Sequence, residues 1–420
     1  MLPRGRGTGV RNHRSIGLSR QARHILVWMC VLIAVNQLGF GSIVPVVALY
    51  AEDFGVSQTA IGLTIAIYGL ARFLINVPAG QLADVAGRRI TLATGGLVTV
   101  IGTALCALAP SYAVFLFARF IAGAGAAAVL TGGQIVLADI ASPMNRGRVM
   151  AIYQGVFLFS VGAGSWPGGW LAATFGLAAP FWANAMLAGV VTLLAWFFVP
   201  ETRRIADTPG RPQAPPVPMR RQLRQLGASP GFILISSVSF AAFFARTGGL
   251  FNVIPLLAED EIGLSPDQIG LGIGMISIVG LLLVYPSGAL VDRFGRKAVI
   301  VPSTLLSAAA LLGFAVADTF PQFMLASTFW AASSGIAGAA PAAYAADVAP
   351  RGMIANAMGL YRSLADSGYV LGPMVLGALA DLAGYDAALA ITAGLLLVTG
   401  STFAVRAPET LRPHEASTPG

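Results

Sequence analysis

Residues 78–89 read PAGQLADVAGRR, and residues 286–297 read PSGALVDRFGRK. The two stretches lie 208 residues apart, and the same offset aligns Asp139 with Asp347 and the Pro-Glu-Thr triplet at 200–202 with that at 408–410. Matches at one fixed offset along a whole chain are the mark of an internal repeat. The sequence therefore predicts two copies of one structural unit.

Each copy carries several long apolar segments. Of the 420 residues, 56% are hydrophobic and only 10% are charged, which excludes a water-soluble globular protein. Segments of 18 or more apolar residues are long enough to cross about 30 Å of hydrocarbon as helices. Twelve such spans are predicted, at 25–50, 60–83, 90–109, 112–137, 148–173, 178–199, 232–257, 267–291, 298–317, 321–346, 353–380 and 385–406. The expected fold is an all-α membrane protein of 12 transmembrane helices in two pseudo-symmetric six-helix bundles.

The basic residues predict the orientation of the chain in the membrane. Of the 26 Lys and Arg residues, 22 lie before the first span, between spans six and seven, in the connections 2–3, 4–5, 8–9 and 10–11, or in the C-terminal tail, and the remaining connections have none. By the positive-inside rule, both termini are cytoplasmic in a multi-pass plasma (inner) membrane protein. This charge orients the chain in a lipid bilayer, so we expect no nucleic acid partner. The predicted domains are a cytoplasmic N-terminal segment (1–24), an N-terminal bundle (25–200), a cytoplasmic linker (201–231), a C-terminal bundle (232–406) and a cytoplasmic tail (407–420).

The two opening stretches resemble the G-x-L-x-D-R-x-G-R-[KR] signature of the major facilitator superfamily, although the first has Val85 at the arginine position. This resemblance spans the whole chain and implies the major facilitator fold. It also implies a gate in which Asp84 and Asp292 each face the N-terminus of a helix in the opposite bundle, where a helix dipole favours negative charge. The gating residues implied are Gly80, Asp84, Gly87, Arg88, Arg89, Gly288, Asp292, Arg293, Gly295, Arg296, Lys297, Asp347 and Arg351.

Glycine and proline in the fifth span favour export. Residues 164–169 read GSWPGG, which looks like the G-P-x-x-G-G motif of antiporter branches, with the proline displaced to position 167. A glycine packing face with a proline kink would give the same pattern. The resemblance implies the 12-helix drug:proton antiporter branch, that is, multidrug or antibiotic efflux.

Charged residues inside the spans predict the functional interior. Arg72, Arg119, Arg246 and Arg362 lie within spans, and Asp366 is the one mid-helix carboxylate, a helical turn beyond Arg362. Because a charge in lipid is costly, these side chains are expected to face the bundle interior. Arg119 resembles a fourth-helix arginine of the superfamily that is associated with proton transfer. The candidates for proton coupling are Asp366, Arg362, Arg119 and Asp139, with a static Arg362–Asp366 ion pair as the alternative for the first two.

Polar and aromatic residues at mid-span complete the predicted cavity. Asn36 stands where tetracycline-type efflux pumps carry an acidic residue, and its amide exchanges no proton in the physiological range. The candidates for the substrate cavity are Asn36, Gln37, Arg72, Asn76, Arg246, Asn252, Trp330 and Tyr361. Each of the polar residues could instead form an interhelical hydrogen bond.

Three functions remain open from the sequence. The first is a secondary active transporter that works by alternating access, as a proton-coupled exporter of drugs or small amphipathic metabolites. The second is a transporter of an organic anion, since the interiors of the spans carry four arginines and only one carboxylate. The third is a non-transporting membrane receptor. The chain lacks H-E-x-x-H and P-loop motifs, so we expect a non-enzyme. Its expected partners are a small-molecule substrate and protons, and the protein is expected to be monomeric, with no cofactor and no metal.

Overall fold

A computed structural model describes residues 18–141, 146–202, 224–338, 340–349 and 354–410, and every regular element within these ranges is a helix. Most of the predicted N-terminal segment (residues 1–17), most of the linker (203–223) and most of the tail (411–420) lie outside the described residues.

The N-terminal half contains seven helices in six spans. Their bounds are α1 (Arg20–Ile43), α2 (Val47–Glu52), α3 (Gln58–Val85), α4 (Arg88–Ala107), α5 (Tyr112–Ile140), α6 (Arg146–Phe175) and α7 (Ala179–Phe198). The first span, predicted as one helix, is broken at residues 44–46, where Pro45 has no N–H group to continue the helical hydrogen bonding.

The C-terminal half repeats this order with two further breaks. It comprises α8 (Pro230–Phe244), a π-helical segment (Ala245–Val253), α9 (Ile254–Asp260), α10 (Pro266–Phe294), α11 (Lys297–Ala315), α12 (Phe320–Ala337), α13 (Ala340–Asp347), α14 (Ile354–Ala383) and α15 (Tyr385–Arg406). The seventh span is thus α8, the π segment and α9, and the tenth span is α12 and α13. The last residues of the π segment are the repeat mates of the break in the first span, so both halves interrupt the same helix.

Ten spans combine membrane-crossing length with an apolar composition in the described residues. The fifth and eighth spans correspond to α6 and α10, which are 30 and 29 residues long. These two helices pack against each other, as do α3 and α14, and the two pairs form the seams between the halves.

The seams are closed at one end of the molecule only. We call the end that carries the termini proximal and the opposite end distal. Four distal glycines touch backbone of the other half: Gly62 touches Pro373, Gly377 touches Gln58, Gly169 touches Pro266 and Gly270 touches Ser165.

At the proximal end the same four helices carry glycines that face open space. A Cβ atom added at Gly80, Gly155 or Gly359, or at Gly280 in the middle of α10, would meet no atom of the described residues within 4 Å. The two halves therefore separate on the side of the termini.

Candidate functional site

Arg88 is the centre of a proximal ion-pair network in the N-terminal half. Its Nε atom lies 3.0 Å from Oδ2 of Asp139, and its Nη1 lies 3.3 Å from Oδ1 of Asp84. Thr202 donates to the same Asp139 oxygen at 2.7 Å. Arg88 and Asp139 have side chains only 8% and 6% exposed, whereas Asp84 is 73% exposed. Asp139, predicted as a proton-coupling candidate, is thus paired with Arg88, a residue of the predicted gating motif.

The C-terminal half repeats this network with greater exposure. Nε of Arg296 lies 3.1 Å from Oδ2 of Asp347, and Thr410 donates to that oxygen at 2.9 Å. The Arg296 and Asp347 side chains are 21% and 34% exposed. Gly87 and Gly295 have φ angles of +102° and +93°, which side-chain-bearing residues rarely adopt, so the motif glycines allow the turn that presents each arginine.

Two glutamates that sequence reasoning missed hold these turns. Glu201 accepts hydrogen bonds from the backbone N–H groups of Arg88 and Arg89 at the start of α4. Glu409 does the same for Arg296 and Lys297 at the start of α11, at 3.1 and 3.0 Å. A carboxylate at a helix N-terminus satisfies free N–H groups and complements the helix dipole. The repeated Pro-Glu-Thr triplets were the available signal.

The remaining gating candidates are partly described. Arg89 places its guanidinium 4.8 Å from the centre of the Trp196 ring, and Arg293 lies over the Phe294 ring at 5.2 Å. Gly80 lies in α3 with open space beside it. Gly288 and Asp292 lie in α10, but only their helical backbone is described. Arg351 lies outside the described residues.

Three of the predicted arginines gather near the middle of the bundle. Arg119 on α5 is 3% exposed and donates from Nε to the Thr64 carbonyl oxygen at 3.2 Å. Arg72 and Arg246 are partly buried, on α3 and the π segment. Among the described residues, none of the three has a carboxylate within ion-pair distance.

Aromatic rings, which the sequence did not single out, are the partners of these cations. The guanidinium carbon of Arg119 lies 4.5 Å from the Tyr68 ring centre, that of Arg72 lies 5.5 Å from the Tyr369 ring, and that of Arg246 lies 5.8 Å from the Phe251 ring. Cation–π attraction of this kind lowers the cost of a desolvated cation. Spacing was a usable signal for Tyr68, which is one helical turn before Arg72.

A small cavity lies beside these rings at the interface of the halves. Its lining includes Arg119, Tyr369, Phe251 and Phe40, with aliphatic side chains from α1, α2 and α3. The cavity thus combines apolar and aromatic walls with one arginine, Arg119, while Arg72 and Arg246 contact two of its aromatic residues, Tyr369 and Phe251.

The other cavity candidates are dispersed and hydrogen-bonded within the protein. Asn36 donates to Gln37 at 2.8 Å, and Asn252, fully buried, donates to the Pro373 carbonyl at 3.3 Å. Tyr361 shares a hydrogen bond of 2.6 Å with Ser239. The exposed Asn76 accepts from Thr131 at 3.1 Å, while Trp330 is buried in an apolar cluster that includes residues of both halves.

Arg362 and Asp366 form a loose ion pair on α14. Nε of Arg362 lies 3.8 Å from Oδ1 of Asp366, and the two side chains are 53% and 29% exposed. Both positions lie on the proximal side of Tyr369, where the halves separate. The pair is therefore accessible to water from the open end.

Known proteins support the same architecture. The family model described as Major Facilitator Superfamily matches residues 29–258 and 235–420. Multidrug resistance protein 2 of Bacillus subtilis is 26% identical over 380 residues, which cover 86% of this chain and 90% of the relative. Quinolone resistance protein NorA of Staphylococcus aureus is 24% identical over 351 residues, with coverage of 82% and 87%.

A solved structure shares the fold. The bacterial homologue of the human lysosomal transporter Spinster, in an inward-facing and occupied conformation, matches with a TM-score of 0.75 at 17% identity, over 92% of this chain and 98% of that one. The predicted two-bundle membrane fold is confirmed. With both copies of the repeat matched by the family model, the chain belongs to the major facilitator superfamily.

Proposed function

We propose that this transporter is a secondary active, proton-coupled exporter of small amphipathic molecules that works by alternating access in the plasma membrane. The observation that carries the proposal is the arrangement of the seams: glycines touch backbone of the other half at the distal end and face open space at the proximal end. Two halves that meet at one end around a central site can rock to expose that site to the other side.

Orientation follows from the positive-inside rule. With both termini cytoplasmic, the proximal opening faces the cytoplasm and the distal closure faces outside. This arrangement is the one that loads a substrate for export. The multidrug and quinolone resistance relatives support small amphipathic substrates.

Proton coupling is proposed to involve Asp366. Its carboxylate is loosely paired with Arg362 and lies on the open side, where protonation would free the arginine. A purely structural pair would not respond to a proton gradient, so the test compares gradients directly.

Purified protein in liposomes with an imposed pH gradient tests the proposal. Ethidium efflux is expected to follow the direction of the gradient and to collapse when a protonophore is added. Asp366→Asn is expected to weaken this dependence, with the distant exposed Arg406→Gln as a matched control. Flux in the wild type that is indifferent to the gradient in both directions would refute the coupling.

A second candidate is transport of an organic anion. It is favoured by Arg72, Arg119 and Arg246, which have no carboxylate within ion-pair distance among the described residues. A planar guanidinium binds carboxylates or sulfonates in two-point geometry. Carboxyfluorescein and ethidium, compared in the same liposomes, separate the candidates. Arg72→Gln and Arg246→Gln are expected to weaken anion flux selectively if this candidate holds, whereas flux of ethidium alone would reject it.

A further inference from the structure

The distal end of the α3–α14 seam is joined by a carboxylate that crosses between the halves. Asp381 on α14 accepts from the backbone N–H of Gln58 through Oδ1 and from that of Thr59 through Oδ2, both at 2.8 Å. The Thr59 hydroxyl donates to the same Oδ2 atom. These N–H groups are free donors in the first turn of α3, so a carboxylate of one half caps a helix of the other.

The side chain of Gln58 carries a second set of bonds across the same seam. Its Nε2 atom donates to Tyr385 Oη at 2.8 Å and lies 3.2 Å from Oε1 of Glu52. Tyr385 in turn donates to Oδ2 of Asp260 at 2.6 Å. This series of hydrogen bonds links α2 and α3 of one half with α9 and α15 of the other.

The charged side chains around this series of hydrogen bonds are acidic. The distal acidic cluster, as we call it, consists of Glu52, Asp53, Glu259, Asp260 and Glu261, on α2, on α9 and in the residues that follow them. Asp386 lies near Glu261, and Asp381 lies beyond Gln58. The sequence has no Lys or Arg at 48–71, 247–292 or 363–405. The π segment also packs on α2. Its one charged residue, Arg246, lies over the Phe251 ring.

Closure of the seam places these carboxylates together. Burial raises the pKa of Glu52, the negative charge of Asp260 raises it further, and the Gln58 hydrogen bond opposes the rise. A group whose pKa is higher in one state favours that state while protonated, so closure is favoured at low pH and loses this contribution as pH rises through the raised pKa.

We propose that the distal seam is a pH-dependent clasp, in which a proton on the Glu52 carboxyl, near the negatively charged Asp260 of the other half, favours the distally closed form and its loss favours opening. The proposal deepens the proposed function and rests on its proton coupling for physiological meaning: a proton taken up from outside would drive the return to the form open to the cytoplasm. Asp381 supplies the charged cap of the same clasp, and Gln58 joins the two parts.

Distance measurements between the halves test the clasp without substrate or gradient. Nitroxide labels are attached at Leu108→Cys and Val316→Cys, after Cys30 and Cys106 have been replaced by alanine. The two labelled positions are repeat mates at the distal ends of α4 and α11, and they are 64% and 71% exposed. Spin–spin distances are recorded in lipid nanodiscs between pH 5 and 8.

The labelled wild type is expected to shift from short to long distances as pH rises, with the ratio changing at most tenfold per pH unit for one proton. Glu52→Gln is expected to stay short and to lose the pH response. Asp260→Asn, a second variant in case the first does not fold, is expected to do the same. Asp386→Asn, at an exposed distal carboxylate that does not contribute to the raised pKa of Glu52, is the control and is expected to keep the response.

Three results would overturn the clasp. They are a wild type whose distances do not change with pH, Glu52→Gln and Asp260→Asn variants that keep the wild-type response, and an Asp386→Asn variant that loses it. Because transport is not measured, gradient-independent flux in liposomes would refute proton coupling while leaving the clasp intact, and the reverse outcome would refute the clasp alone.

Discussion

Replacing Asp139 by asparagine is expected to destabilise the protein far more than the same change at its repeat mate, Asp347. Both carboxylates lie within ion-pair distance of an arginine Nε and accept from a threonine hydroxyl, although only the Nε of Arg88 also donates a hydrogen bond to its carboxylate. They differ in exposure: the Asp139 side chain is 6% exposed and the Asp347 side chain is 34% exposed.

The magnitudes follow from this difference. Removing one partner of a buried ion pair costs roughly 3–5 kcal/mol, because the other charge is left buried. Arg88 keeps Asp84 at 3.3 Å and the Ala83 carbonyl at 3.0 Å, so about 3 kcal/mol is expected for Asp139→Asn. An exposed pair contributes about 1 kcal/mol or less, which is the expectation for Asp347→Asn. A difference of about 2 kcal/mol corresponds to roughly 30-fold in the unfolding equilibrium.

Reversible unfolding by SDS in mixed micelles, followed by tryptophan fluorescence, measures both variants against the wild type. Asp84→Asn, at a carboxylate that is 73% exposed, is the control and is expected to have no measurable effect. Equal losses at Asp139 and Asp347, or a larger loss at Asp347, would refute the argument from burial.

Two further changes test the seams and the coupling pair. Gly377→Ala is expected to favour the distally open form, because a Cβ atom there would collide with the Gln58 carbonyl, and the distal spin-label distance would lengthen at every pH. An unchanged distance would show that the contact between Gly377 and Gln58 does not limit closure of the distal end. Arg362→Gln is expected to alter the pH profile of ethidium export as Asp366→Asn does, since each leaves the other without its partner; an effect of only one of the two would make them functionally separate.

Much of the fold could be predicted because its determinants are local. The apolar spans and the repeat identify two bundles, and the Gly-Arg turns predict where arginines are presented. The breaks at Pro45, in the π segment and at Gly338 could not be read from hydropathy, since a broken span is as apolar as a continuous one. They depend on how each helix packs in the finished bundle.

The candidate site was harder to predict because its partners are distant in sequence. The mid-span arginines were identified by their cost in lipid, but their partners proved to be aromatic rings, which hydropathy does not distinguish from core residues. The distal carboxylates were overlooked for a different reason. The orientation of the chain was predicted from its basic residues alone. The connections that lack Lys and Arg carry acidic residues, and these come together only when the halves meet.

The repeat explains why the clasp lies on one seam only. The repeat mate of Gln58 is Pro266, which has no N–H to donate, and the mate of Asp381 is Ala173, which has no carboxylate. In the described residues, the α6–α10 seam is closed at its distal end by backbone contacts at Gly169 and Gly270, and no carboxylate bonded to a helix N-terminus is seen to cross it. Opening the distal end therefore breaks the hydrogen bonds of Asp381 and Gln58 along α3 and α14, whereas along α6 and α10 the contacts described are glycine packing. The ion pairs of the proximal networks lie within a half, so they can survive the movement. The distal hydrogen bonds cross between the halves, so the free energy lost when they break must be offset by other contacts when access alternates.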